Sequence, residues 1–396
     1  MEQMISVDEA RAMVVEKARK LPAEKVSLKN ATGLVLAADV VAMQDIPAYP
    51  QSSMDGYALR YDGVHWPLKL VGEMAAGSSK EFLLKPGEAV RIFTGAAVPA
   101  GADTVVMQEK VRVDDAHLHI EDPGLMAGAN VRPVGSEVSK GALAMPAGAL
   151  LTPAAIGFLA GIGITEVEVV PLPKISVIVT GNELQAPGEP LGYGQVYEAN
   201  SFTLLAALQQ AAIEPLANYR SGDDLMQLTE ILQNALEVSD VVLITGGVSV
   251  GAYDLTSPAF DRVGVQKIFH KIRQKPGKPI LFGTKEEKLV FGLPGNPASV
   301  LSCYYQYVLP ALSVLSARPL ALKRKRVPLR AAYKKPAGLT HFLKGSYDGS
   351  KVELLSGQES YKLNSFARAN CMAEIPEGAT DLPAGHPVTI HVFSEG

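Results

Sequence analysis

Acidic and basic side chains follow a series of apolar segments in the second half of the chain, each at the point where a segment ends. Glu183 comes shortly after ISVIVT (175–180), and Asp223 follows a segment near 214–218. Asp254 closes the loop after DVVLI (240–244), whereas the basic residues Lys271, Arg273, Lys275 and Lys278 follow VQKIFH (265–270). Because ligands bind outside the carboxyl ends of the strands in an open α/β sheet, this arrangement predicts one cleft lined by acids and bases.

The loop after DVVLI contains the glycines Gly246, Gly247 and Gly251. Glycines let a ligand approach the backbone, whose N–H groups can bind an anion. The spacing matches neither the dinucleotide fingerprint nor a Walker loop. A plain strand-to-helix turn is the alternative for this loop. A helix cap is the alternative for each nearby acid, above all for Asp223.

Carboxylates in the same cleft would repel a bare phosphate, and a hard cation removes that conflict. Mg²⁺ prefers carboxylate and water oxygens and bridges to phosphate groups. We therefore expect Mg²⁺ to be bound by Glu183, Asp223 and Asp254. The neighbouring lysines would hold the anionic charge that remains.

Strands and helices alternate from residue 174 onwards, and the central strands are apolar on both faces. This pattern predicts a parallel sheet covered by helices. Short alternating runs rich in glycine and proline predict all-β regions before and after it. The expected fold is a multidomain α/β plus β protein. Its parts are a helix at 1–22 that packs with the α/β domain, an extended connecting domain from 23–45 and 138–173, a small β-rich domain at 46–137, the α/β domain at 174–322 and a C-terminal β domain at 323–396.

Composition narrows the class of protein. The chain has 396 residues and a formal charge of −4, which gives no global electrostatic reason to bind nucleic acid. Two cysteines and no apparent signal peptide predict a reducing, cytoplasmic location. Residues 141–165 carry no charge, but their prolines and glycines predict a strand, a turn and a short helix beginning at Thr152–Pro153 rather than a membrane span. His117 and His119 alternate along one strand, where solvent-facing positions are favoured over a metal site.

Six segments together resemble one family, the molybdopterin molybdenumtransferases, known as MoeA in bacteria and similar to the E domain of gephyrin. In chain order they are SSMDGYA, IFTGAAVPAGADTVVMQE, VTGNEL, ITGGVSVGAYD, KPGKP and GLPGNPAS. The resemblance covers essentially the whole chain. It implies an enzyme of molybdenum cofactor synthesis that takes adenylyl-molybdopterin and molybdate, inserts the metal and releases AMP. Tungstate in place of molybdate stays open.

The resemblance also implies a homodimer of four-domain subunits, with each active site shared between two subunits, and contact with the molybdopterin adenylyltransferase. Adenylyl transfer to molybdopterin and a gephyrin-like scaffold without catalysis are the alternative functions. Residues matched to the family as catalytic are Asp55, Thr94, Glu183, Asp223 and Asp254. Residues expected to bind substrate are Gly246, Gly247, Ser249, Lys271, Lys275, Lys278, Pro294, Pro297, Lys344 and Ser360.

Three positions depart from the family pattern. Asn182 stands where the family often has aspartate, which removes one carboxylate, and Glu137 stands where aspartate is usual. Lys344 stands where arginine is common, which keeps the charge but loses the bidentate fork. We expect Lys344 to bind the oxyanion directly and more weakly than arginine would, so that Lys344→Arg should bind molybdate more tightly.

Overall fold

The computed structural model describes residues 4–61, 67–248 and 254–393. The chain forms two compact units, one made of residues 25–169 and the other of residues 1–24 together with 170–396. Helix α1 (Val7–Lys17) opens the larger unit. Ser6 caps it, because Ser6 Oγ accepts from Glu9 N and Glu9 Oε2 accepts from Ser6 N, which is a capping box.

The unit of residues 25–169 is built mainly from short strands. The elements are β1 (Glu24–Ser27), β2 (Val35–Leu36), β3 (Val40–Val41), β4 (Gln51–Ser52), β5 (Gly56–Leu59), β6 (Leu68–Met74), β7 (Glu88–Ile92), β8 (Thr104–Met107), β9 (Val111–Asp114), β10 (His117–Ile120), β11 (Val131–Arg132), β12 (Leu143–Met145), α2 (Pro153–Gly161) and β13 (Glu166–Val170). A six-stranded sheet has the order β8-β5-β7-β6-β10-β9, and a three-stranded sheet has the order β1-β13-β2. Thr152 caps α2 and Pro153 occupies its first turn, as predicted, so the uncharged stretch 141–165 holds a strand and a nine-residue helix.

The second unit contains a six-stranded sheet with helices packed against it. Its elements up to residue 315 are β14 (Ile175–Thr180), β15 (Leu184–Gln185), β16 (Val196–Tyr197), α3 (Asn200–Gln210), β17 (Ala217–Ser221), α4 (Leu225–Val238), β18 (Val241–Thr245), α5 (Thr256–Val263), β19 (Gln266–His270), β20 (Gln274–Lys275), β21 (Leu281–Lys285), β22 (Lys288–Leu293), α6 (Pro297–Cys303) and α7 (Leu309–Leu315). The sheet order is β17-β14-β18-β22-β21-β19. Side chains of β14, β18 and β22 are almost entirely buried, which matches their apolar runs.

The sheet is mixed rather than wholly parallel, which corrects the sequence-based expectation. Strands β17, β14, β18 and β22 pair in parallel, but β21 is antiparallel to both β22 and β19. Only Glu286 and Glu287 separate β21 from β22, and so short a connection forces an antiparallel hairpin. Since β19 runs in the same direction as β22, the carboxyl ends of β14, β17, β18, β22 and β19 still share one edge, here called the carboxyl edge.

The last part of the chain forms a second sheet within the same unit. The strands of this region are β23 (Lys323–Pro328), β24 (Tyr333–Lys334), β25 (Thr340–Tyr347), β26 (Val352–Leu354), β27 (Cys371–Ile375), β28 (Asp381–Leu382) and β29 (Pro387–Val392). The sheet order is β20-β25-β27-β29-β23, so its first strand comes from the α/β region and pairs in parallel with β25. Four consecutive basic residues, 323–326, lie in the edge strand β23. The predicted α/β plus β class is confirmed.

One helical run, residues 297–315, consists of α6, a π-helical turn (Tyr304–Val308) and α7. Among the described residues it alone is long and apolar enough to cross a membrane by length and composition. Its most apolar window is 72% buried inside the protein, and core helices commonly pass the same test. It is therefore weak evidence for a membrane span.

Candidate active site

The glycine loop after β18 packs tightly against the end of β14. Gly246 has φ +85°, and a Cβ there would lie 2.4 Å from the backbone oxygen of Thr180. Only glycine fits this approach. The segment after β22 lies alongside, since a Cβ on Gly295 would be 3.7 Å from the Gly246 Cα. The loops after β18 and β22 therefore meet at the carboxyl edge. Gly247 continues the loop with φ +59°, whereas Ser249 and Gly251 lie outside the described residues.

Asp223 follows β17 and is joined to the loop after β14. The backbone N–H of Asn182 donates to Asp223 Oδ2 at 3.2 Å, and Asn182 Oδ1 accepts from the Asp223 N–H at 3.1 Å. The neighbouring Asp224 caps α4 by accepting from Gln227 N at 2.9 Å. Capping is thus the role of Asp224, which leaves the exposed carboxylate of Asp223 at the edge of the sheet. An amide oxygen serves at position 182 as well as a carboxylate would, since the bond needs only an acceptor.

The other two acids also lie at strand ends. Asp254 Oδ1 accepts from Ser257 N at 3.1 Å in the first turn of α5, so one carboxylate oxygen supports the helix. The Glu183 carboxylate lies over Gly181, where an added Cβ would be 2.7 Å from Oε2. Both acids therefore lie at the carboxyl edge, as the sequence predicted.

These acids do not form a cage that could hold a metal by itself. In the part of the chain that the structure describes, no three acidic, histidine or cysteine side chains are grouped closely enough to bind a metal ion. Asp223 accepts a hydrogen bond from Asn182 N in the loop after β14, whereas Asp254 accepts one from Ser257 N in the first turn of α5. The donor set fits Mg²⁺ only if substrate phosphate and water supply most of its ligands, which is the usual coordination of this ion in proteins.

The segment 271–280 carries the predicted basic side chains and is here called the lysine loop. Lys271 N donates to Ile280 O at 3.0 Å and Ile272 N to Lys278 O at 2.9 Å, which closes the loop on itself. Lys271 has φ +70°, the left-handed conformation. Lys275 ends β20, so the loop is fixed to the C-terminal sheet.

A cleft of about 320 Å³ separates the lysine loop from the segment after β22. Its lining includes Lys275, Lys278, Pro294, Asn296 and Ser360. The cleft therefore brings together side chains that are far apart in the sequence. An adjoining cleft of about 530 Å³ shares Lys275 and Ser360 and is also lined by Tyr333 and His341.

Ser360 is held against the start of α6. Its Oγ hydrogen-bonds to Asn296 Nδ2 at 3.0 Å, and its carbonyl oxygen accepts from Ala298 N at 3.1 Å. The second contact satisfies one of the N–H groups that a helix N-terminus leaves unpaired. Pro297, the first residue of α6, lies between these contacts.

Lys344 is buried and does not have the exposed ammonium that direct binding of an oxyanion, its predicted role, requires. Its side chain is only 3% exposed, and Nζ donates to the backbone oxygens of Gly357, Glu359 and Lys362 at 2.7, 3.3 and 3.0 Å. Burial lowers the pKa of Lys344, although the nearby Glu359 carboxylate opposes this. An ammonium has three N–H donors, and all three are used. Direct binding of an oxyanion by Lys344 does not fit this geometry.

Asp55 and Thr94 lie together in the unit of residues 25–169. The hydroxyl and the backbone N–H of Thr94 both donate to Asp55 Oδ1, each at 2.7 Å. These hydrogen bonds lower the pKa of the Asp55 carboxyl, with a smaller contribution from Arg91. The pair joins two segments, SSMDGYA and IFTGAAVP, that the sequence predicted as separate site segments. Asp55 is therefore an exposed, ionised acceptor held by Thr94.

Two site residues were missed by the sequence reasoning. Asn200 is the first residue of α3 after the cap residue Ala199, and its Nδ2 donates to Gly295 O at 2.9 Å beside the glycine loop. His341 lies beside Lys275 in the sheet and bonds to the Tyr333 hydroxyl at 2.9 Å. Burial, together with Lys335 and Lys275, lowers the pKa of His341 to about 4, so the imidazole is neutral at pH 7. An asparagine at a segment end was the available signal for Asn200, whereas none pointed to His341.

Comparison with known proteins covers the whole chain. Three family models match it: the MoeA N-terminal region (domain I and II) over residues 5–163, a probable molybdopterin binding domain over 176–314 and the MoeA C-terminal region (domain IV) over 326–393. The molybdopterin molybdenumtransferase of Haemophilus influenzae is 33% identical over 404 residues, which cover 99% of each chain. The molybdopterin molybdenumtransferase 2 of Mycobacterium tuberculosis is 33% identical over 96% of this chain and 98% of that protein.

Solved structures agree with these relatives. A structure of the molybdopterin biosynthesis MoeA protein of Pyrococcus horikoshii matches with a TM-score of 0.83 at 30% identity, covering 100% of both chains. A second structure of the P. horikoshii protein matches with a TM-score of 0.77 at 28% identity, over 98% of this chain and 100% of that one. The chain belongs to the molybdopterin molybdenumtransferase (MoeA) family.

Proposed function

We propose that this enzyme inserts molybdate into adenylyl-molybdopterin and releases AMP, giving molybdenum-molybdopterin. The carboxyl edge carries the proposal, because it combines backbone for an anion, carboxylates for a phosphate-bound cation and lysines for the remaining charge. Gly246 and Gly247 offer the backbone approach. The cleft beside them carries Lys275 and Lys278. A diphosphate and an oxyanion substrate need this combination.

Glu183, Asp223 and Asp254 are the residues that would hold Mg²⁺ together with the substrate diphosphate. Mg²⁺ would neutralise phosphate charge when bound. Lys271, Lys275 and Lys278 would bind molybdate or the pterin phosphate as point charges. Pro294 and Pro297 would fix the backbone of the segment that forms the opposite wall of the cleft. Each acid then acts from a loop fixed at its own strand end.

Asp223 and Asp224 provide a matched pair to test this assignment. Asp223→Ala should lower molybdate-dependent AMP release by about 100-fold, the usual scale for removing one preorganised electrostatic group. Asp224→Ala removes a helix cap, so it should cost about 1 kcal/mol of stability and leave the rate within about twofold. Rates and melting midpoints of the two variants decide the question. Equal rate losses in both would show that the acid after β17 has no special role.

We also propose a cytoplasmic homodimer in which Asp55 and Thr94 of one subunit complete the active site of the other, and which contacts the molybdopterin adenylyltransferase. The two cysteines are both free and buried, consistent with a reducing compartment. Co-expression of Asp55→Asn and Asp254→Ala chains tests the shared site. In a mixed dimer, the site that takes Asp254 from the Asp55→Asn chain and Asp55 from the Asp254→Ala chain is intact, and the other site carries both substitutions. About half of the dimers should be mixed, so about a quarter of wild-type activity should return. No recovery in isolated mixed dimers would exclude a shared site.

A further inference from the structure

Lys344 holds the loop of residues 355–362 through both its side chain and its main chain. Its ammonium is bonded to the carbonyls of Gly357, Glu359 and Lys362. Its main chain is bound to the same loop, because Lys344 N donates to Gln358 Oε1 at 2.9 Å and Lys344 O accepts from Gln358 Nε2 at 2.9 Å. One residue of β25 therefore fixes most of this loop.

The 355–362 loop carries Ser360 into the cleft. Ser360 is in turn bonded to Asn296 and Ala298 at the start of α6. A continuous set of hydrogen bonds thus runs from the buried ammonium, through the loop, to the wall of the cleft opposite Lys275 and Lys278. A change at Lys344 would reach the cleft as a displacement of Ser360.

We propose that Lys344 is a positioning residue that sets the place of Ser360 in the oxyanion cleft; this rests on the proposed function. A lysine suits the role because three carbonyls converge on one atom. A planar guanidinium donates in a fixed fork from three separate nitrogens, so the loop would have to shift for an arginine to meet the same three acceptors. Lys344→Arg should therefore bind molybdate no more tightly than the wild type, the opposite of the result expected for a direct ligand.

Lys335 is a matched control for Lys344. It is 7% exposed, and its Nζ donates to the carbonyls of Leu339, Glu377 and Pro336 at 2.8, 3.1 and 3.4 Å. It is thus a second buried lysine in the same unit that binds carbonyls, but none of its acceptors lies in the 355–362 loop. Lys335→Met should reproduce any general loss of stability without displacing Ser360. Because Leu339 also lines the cleft, any effect of Lys335→Met on molybdate binding should persist in full in a Ser360→Ala background.

The test is molybdate titration by calorimetry, with the KM for molybdate in AMP release measured alongside. Lys344→Met should raise the Kd for molybdate and the KM for molybdate by about tenfold to 100-fold, the effect expected of a displacement of about 1 Å. Lys335→Met should change the same two constants by less than about twofold. In a Ser360→Ala background, Lys344→Met should add less than about twofold, since the two residues act through one contact. If Lys344→Met does not fold, Gln358→Ala loosens the same loop and should show the same dependence on Ser360.

Three results would overturn the proposal. They are equal effects of the two lysine variants, a full additional loss in the Ser360→Ala background, and tighter binding by Lys344→Arg. A wild type that binds molybdate without releasing AMP refutes the proposed function alone and leaves the binding comparison valid. A wild type that binds no molybdate overturns both.

Discussion

Gly277 should control the shape of the lysine loop. It has φ +89°, and a Cβ there would lie 2.5 Å from Cys303 Sγ and 2.7 Å from Gln274 Nε2. Neither neighbour moves easily, since Cys303 and Gln274 are both fully buried. Gln274 also accepts a hydrogen bond from the Tyr307 hydroxyl. Gly277→Ala must therefore shift the loop that carries Lys275 and Lys278.

The cost of this substitution has two parts. The left-handed conformation costs a residue with a Cβ about 1–2 kcal/mol, and overpacking costs about 1–3 kcal/mol. Lower entropy of the unfolded chain returns about 0.4–1 kcal/mol. The expected net loss is about 2–4 kcal/mol, which should lower the melting midpoint by about 5–10 °C.

Gly264 is a matched control, because it has φ +74° in the same unit but no atom within 4 Å of an added Cβ. Gly264→Ala should cost only about 1 kcal/mol and leave the KM for molybdate unchanged. Gly277→Ala should raise that KM by about tenfold or more, since it moves the lysines. Removing the sulfur with Cys303→Ala should offset at least about 1 kcal/mol of the loss as a coupling energy. If Gly277→Ala matches Gly264→Ala in both midpoint and KM, the close approach does not set the loop.

Two further predictions concern ionised groups. Thr94→Val removes the hydroxyl that helps to lower the pKa of Asp55, so that pKa should rise. The acid limb of the pH–rate profile should then move to higher pH. An NMR titration in which the Asp55 carboxyl is unchanged by the substitution would contradict this. Burial raises the pKa of Glu374, but hydrogen bonds from His391 and Arg11 outweigh it and hold the pKa at about 2. Its contribution to stability is therefore present above about pH 4.5 and is lost as the pH falls through about 2. Arg11→Met should lower the free energy of unfolding by about 3–5 kcal/mol at pH 7 and raise the pH at which acid unfolds the protein. An acid unfolding transition at the same pH as in the wild type would refute this role of Arg11.

Strand ends were predictable from the sequence because buried strands read as apolar runs whose limits are clear. Since parallel strands bring their carboxyl ends to one edge, the positions of Glu183, Asp223 and Asp254 followed directly. Strand direction was not encoded in the same runs. The signal for the antiparallel hairpin is the connection at Glu286–Glu287, which is too short for a parallel crossover.

Side-chain roles were harder to predict than positions. Asp223 and Asp224 differ by one residue in phase, and only the hydrogen bond to Gln227 shows which one caps α4. Lys344 reads as an available cation in the sequence. Its burial depends on carbonyls that lie 13–18 residues later, and no local pattern reports them.

Single-turnover chemistry tests the central claim most directly. The enzyme should be incubated with adenylyl-molybdopterin, molybdate and Mg²⁺, and AMP and molybdenum-loaded cofactor should be quantified together. The account predicts that both form in equal amounts, that both require molybdate, and that Asp254→Ala loses most of both. Absence of AMP from the wild type, or AMP released without molybdenum insertion, would contradict it.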